Sequence, residues 1–176
     1  MCSATARESL LKAKNRSNPH PVLSISQTPV QNCFSPAVSC SGLVVQAVDS
    51  AQKSIDFMAF SFTSDPIGNA MLARAKHGVS VSGVFETTGS ETQYSELGPM
   101  KAAGLDVYAD GNPWSMHHKV IIIDDHLVVF GSYNFSASAD SANDENLLII
   151  DNADLAHAFS AEFQRVLATA KNHPSS

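Results

Sequence analysis

The stretch SIDFMAFSFTSDPIGNAMLARAKHGVSVSGVF, residues 54–85, decides the fold. Ser54–Phe62 is an apolar and aromatic run of strand length. Pro66–His77 carries its apolar residues at helical spacing and stops at Gly78, the residue type that closes helices in a left-handed turn. VSVSGVF (79–85) then reads as a second strand. Toward the C-terminus the unit repeats, with Ser95–Ala103 a helix ended by Gly104 and LDVYA (105–109) a strand. Toward the N-terminus, Ser35-Pro36 opens a helix with apolar positions Leu43, Val44, Ala47, Val48 and Ala51. This alternation predicts a one-domain α/β architecture, a mixed, mostly parallel β-sheet sandwiched between helices.

Beyond residue 116 the β signal is denser. His117–Ile123 and Leu127–Phe130 flank Asp124-Asp125-His126, the pattern of a tight hairpin, and Asn146–Ile150 is a further buried strand. Asp154–Ala170 closes the chain as a helix whose stripe of Leu155, Phe159, Phe163, Val166 and Leu167 suits packing on a sheet. The small, polar segment Ser136–Asp144 suits the rim of a site.

Composition bounds the rest. A chain of 176 residues, 44% hydrophobic and 16% charged, is an ordinary globular domain. Residues 1–28 lack periodicity and are expected to form a flexible N-terminal arm, leaving 29–176 as the folded domain. No apolar run reaches membrane length and no signal-peptide core is visible, so the expected location is cytoplasmic, or secreted or periplasmic if the chain is truncated at its start. The net charge of −6 argues against broad attraction to phosphate polymers, although the arm carries +3 against −9 on the remainder (−6 less +3). Cys2, Cys33 and Cys40 form no C-x-x-C pair, and their spacing supports neither a disulfide scaffold nor a zinc site.

The chemistry gathers between residues 114 and 145. On a strand His117 and Lys119 project to one face and His118 to the other, because side chains alternate. The same parity sets Ser132 beside Asn134. One ammonium, two neutral donors and a titratable nitrogen make a site for phosphate. Asp124 has the wrong parity to join them and sits where a turn is wanted, so it is expected to tie down backbone. Trp114 is a candidate for stacking on a substrate base or lining an acyl pocket.

His117-x-Lys119, then Asp124, then Gly131-Ser132-x-Asn134 resembles the HKD signature of the phospholipase D superfamily at every signature position. Asp144-Glu145-Asn146 before LLII looks like the segment that in this superfamily sets a carboxylate behind the catalytic histidine, which implies that Glu145 orients the His117 ring. The resemblance implies a phospholipase D-like fold, with His117, Lys119, Asp124 and Glu145 as the catalytic set and Lys119, Ser132 and Asn134 as phosphate ligands. Most members carry two such motifs, whereas this chain carries one. Single-motif members resemble small bacterial endonucleases and cardiolipin hydrolase-like proteins, which assemble one site across a homodimer. Chemistry agrees: cleavage through a covalent intermediate needs a nucleophile and an acid on the far side of phosphorus, and one chain supplies one suitable histidine. Imidazole suits both roles, since its ordinary pKa of about 6.5 populates either form near neutral pH.

No carboxylate cluster of the sort that holds magnesium is apparent, so no metal and no cofactor is expected. The expected function is a metal-independent, non-specific endonuclease cleaving DNA or RNA through a phosphohistidine, with a nucleic acid partner and no integral membrane segment. The alternative is a phospholipase D or cardiolipin hydrolase acting on phospholipid headgroups, which would use the same reaction centre.

Overall fold

The computed structural model describes residues 22–25, 28–90 and 92–172. Among these, eight strands form one sheet: β1 Val22–Ile25, β2 Thr28–Ser35, β3 Ser54–Ala59, β4 Ser80–Phe85, β5 Asp106–Ala109, β6 Lys119–Ile123, β7 Leu127–Gly131 and β8 Glu145–Asp151, in the order β1-β2-β8-β7-β6-β3-β4-β5. The helices are α1 Ser41–Ser50, α2 Asp65–Lys76, the one-turn α3 Thr87–Ser90, α4 Leu97–Ala102, α5 Ala137–Ser141 and α6 Ala153–Asn172.

The sheet is mixed, as expected, but its balance is antiparallel. Only β3–β4 and β4–β5 pair in parallel, and the other five neighbouring pairs are antiparallel. Parallel pairing needs a crossover. The chain supplies one through α2 and one through α4, each closed by a glycine at positive φ, Gly78 at 90° and Gly104 at 79°. After residue 117 the links are short, and Asp124 and Asp125, at φ 52° and 59°, turn β6 straight back into β7.

Three further expectations differ from the structure. Residues 28–35 form strand β2, so Ser35-Pro36 ends a strand instead of opening a helix, in keeping with the extended backbone favoured before proline. Helix α1 starts at Ser41, and the turn between them brings Cys33 and Cys40 to a Cα separation of 5.9 Å, where they form a disulfide. The arm expected at 1–28 lies largely outside the described residues, but residues 22–25 pair with β2 and Thr28 begins β2 itself.

Side-chain alternation divides the core. Ile55, Phe57, Ile121, Ile123, Val129, Leu147 and Ile149 pack under α1 and α2 with Val44, Val48, Ile67 and Met71. Met58, Val84, Val120, Ile122 and Val128 pack under α6 with Phe163, Val166 and Leu167. Covering on both faces is why β6 reads as the unbroken apolar run VIII.

Candidate active site

Strand β6 is antiparallel to β3, with Lys119 opposite Ala59, so the residues entering β6 stand where the parallel strands end. The parity of the core carries through: Lys119 follows Ile121 and Ile123 to the α1/α2 face. Its Nζ lies 3.2 Å from His117 Nδ1 and 3.1 Å from the His117 carbonyl oxygen. His118 turns to the α6 side, where its Nε2 is 3.3 Å from Glu162 Oε1.

His117, Lys119, Gly131, Ser132, Asn134 and Glu145 line one pocket of about 430 Å³. Lys119 is only 7% exposed, and burial draws its pKa below the ordinary lysine value, partly offset by the charge of Glu145. A partly dried ammonium interacts strongly with an oxyanion. Asn134 Oδ1 is buried without a partner, and its amide makes no hydrogen bond among the described residues, leaving the Nδ2 donors for a ligand.

Glu145 shares the pocket, yet its hydrogen bonds go elsewhere than the expected His117 ring. Oε2 accepts from Ser132 Oγ at 2.5 Å, and Oε1 accepts from Asn143 Nδ2 at 3.2 Å. Within one chain Glu145 therefore holds Ser132 in place by taking its one hydroxyl proton as a hydrogen bond. Ser132 Oγ in turn accepts the Asn146 N–H at 3.1 Å, stitching the pocket to β8. Gly131 makes that approach feasible: a β-carbon there would lie 2.1 Å from the Asn146 carbonyl oxygen.

Asp124 stands away from the pocket, as its parity requires. Its carboxylate accepts the backbone N–H groups of Gln52, Lys53 and Ser54 at 2.7, 2.7 and 2.9 Å. Burial pushes its pKa up, but those three donors outweigh it and hold the carboxyl below its usual range. Trp114 does not line the pocket either; its indole, 80% exposed, stands in solvent three residues before His117.

Two contributors were not singled out by sequence. The Phe60 ring lies 4.3 Å from the His117 ring, centroid to centroid, with Lys119 Nζ 4.7 Å from its centre. Buried Glu86 accepts the Met116 N–H at 2.6 Å, fixing the backbone just before His117. Phe60 sits in a long apolar run that reads as core, and Glu86 carries no local signal because its partner is thirty residues away.

Residues 44–167 match a family model described as "Cardiolipin synthase, PLD-like domain". The Phospholipase D of Rickettsia prowazekii is 32% identical over 142 residues, covering 81% of this chain and 69% of that protein. The Mitochondrial cardiolipin hydrolase of Xenopus laevis is 32% identical over 150 residues, covering 83% and 69% respectively. Among solved structures, the phospholipase D family member Nuc from Salmonella typhimurium superposes with a TM-score of 0.76 at 36% identity, over 81% of this chain and 95% of that one. NucT from Helicobacter pylori shares the fold at 22% identity, with a TM-score of 0.72, over 81% of this chain and 97% of that one. With a family match across most of the chain and a fold shared almost end to end with Nuc, the protein belongs to the phospholipase D superfamily of phosphodiesterases.

Proposed function

We propose that this protein is a homodimeric, metal-independent endonuclease that cleaves DNA or RNA through a phosphohistidine at His117. The observation that carries the reading is the pocket in which Lys119 touches the imidazole of His117 while Ser132 and Asn134 line the same wall. Imidazole, ammonium and amide form a donor set for a phosphoryl group, in which fixed donors take the role of a divalent cation, while Ser132, its proton given to Glu145, braces the wall beside them.

Neutral His117 of one subunit attacks phosphorus; a nitrogen–phosphorus bond forms as the bond to the leaving oxygen breaks, and protonated His117 of the second subunit gives that oxygen its proton. The second imidazole, now neutral, takes a proton from water as the water oxygen displaces the first imidazole. Lys119 and Asn134 hold the non-bridging oxygens in both steps, with Ser132 beside them.

One feature favours nucleic acid over lipid. Trp114 offers an exposed aromatic plane three residues before His117, suited to stacking on a base. No helix among the described residues is long and apolar enough to cross a membrane. The Cys33–Cys40 bond favours an oxidising compartment over the cytoplasm expected from sequence.

Single-stranded DNA, RNA and cardiolipin vesicles, each incubated with the protein in excess EDTA, test the reading. Cleavage of nucleic acid is expected. Turnover of lipid alone would overturn the substrate, and loss of nuclease activity with EDTA would overturn the metal-free chemistry.

A further inference from the structure

Ser132 and Asn134 flank Tyr133, whose side chain is fully buried. The Tyr133 hydroxyl donates to Asp140 Oδ1 at 2.9 Å. The same oxygen accepts the backbone N–H groups of Cys40 at 2.7 Å and Ser41 at 2.9 Å. The other oxygen accepts the hydroxyls of Ser39 at 2.7 Å and Ser41 at 3.2 Å. Five donors thus converge on one carboxylate of α5, which caps α1 from outside where its own N-cap, Cys40, supplies no side-chain bond. The corner is braced twice more: Cys40 is bonded to Cys33 on β2, and Ser35 Oγ donates to the Ala139 carbonyl oxygen at 2.5 Å.

This corner bears on the phosphate donors through one side chain. Asn134 has no side-chain hydrogen bond of its own among the described residues, so its aim follows from its backbone. That backbone is held by the Ser136 N–H on the Asn134 carbonyl oxygen at 2.8 Å, and one residue earlier by the Tyr133 phenol. We propose that Asp140 is a positioning residue for phosphodiester cleavage, setting Asn134 through Tyr133 from an anchor that the Cys33–Cys40 bond steadies. The inference rests on the reading of the pocket as a phosphate site.

Tyr133→Phe removes one hydroxyl and leaves Asp140 its four other donors, so the corner stays folded. With bis(4-nitrophenyl) phosphate as substrate, kcat should fall about five- to thirty-fold while KM rises by only about threefold, because the donors grip the transition state more than the ground state. Affinity for inorganic phosphate should weaken at least about threefold. Asp140→Ala should cost more than Asp140→Asn, whose amide oxygen keeps an acceptor for Cys40, Ser41 and Tyr133; this pair carries the test if Tyr133→Phe unfolds. Retention of both kcat and phosphate affinity within about twofold in folded variants would overturn the proposal and leave the proposed function standing. A folded, unmodified protein that cleaves no diester would instead overturn the proposed function, and with it the reading on which this inference rests.

Discussion

His117 and His118 are chemically identical neighbours, and the pleat alone separates them. His117→Ala should lower turnover of a nucleic acid substrate by about a thousandfold or more, whereas His118→Ala, which faces Glu162 across α6, should keep activity within a few-fold. Lys119→Gln, which keeps a polar side chain but removes charge from the oxyanion site, should cost roughly 10²–10³ in kcat. Steady-state kinetics on folded variants checks all three, and loss of activity in His118→Ala alone would contradict the assignment. At this scale the sequence was highly legible. The pairs His117/Lys119 and Ser132/Asn134 follow from a period of two within short extended segments, needing no knowledge of neighbouring strands. The link from Ser132 to Glu145 needed the register of β7 on β8, with Gly131 opposite Leu147, which spacing does not disclose.

At the scale of elements, two carboxylates set predictions of opposite kinds. Asp124 ties the β6–β7 turn to the start of β3, so Asp124→Ala gives up three hydrogen bonds to a charged acceptor and should destabilise the fold by about 2 kcal/mol, with kcat per folded molecule little changed. Denaturant unfolding beside kinetics separates the two. On β3, half-buried Asp56 is pushed up to about 6 by burial first, then by the charges of Asp125 and Asp106. Because its folded pKa lies above the unfolded value, its contribution is fully present below about pH 4 and is lost as pH rises through 6, on the order of 1–2 kcal/mol after allowing for solvent screening. Asp56→Asn should remove that pH dependence from the melting curve; an unchanged slope would contradict it. The α2 and α4 crossovers were readable because helix, glycine and strand are each local signals. Strand β2 was not: TPVQNCFS pairs with β8 more than a hundred residues away, and its alternation is blurred by a proline and an asparagine. Missing β2 hid the disulfide too, since Cys33 and Cys40 become neighbours only when the chain turns off that strand.

For the whole molecule, the proposed two-step displacement needs an imidazole on each side of one phosphorus, and the pocket of one chain holds one, His117. Sedimentation should show a dimer at assay concentrations. Preparations that mix unmodified and His117→Ala chains should turn over no faster than their share of unmodified homodimers allows, if each site draws a histidine from both copies. The net charge of −6 makes steering toward nucleic acid depend on local donors, so binding should weaken steeply with salt if the groove gathers two copies of Lys119. The most direct test of covalent catalysis is the stereochemical course at phosphorus, followed with a chiral phosphorothioate diester hydrolysed in ¹⁸O-labelled water. Two successive in-line displacements through His117 predict net retention of configuration; inversion would mean that water attacks the diester directly and would contradict the account.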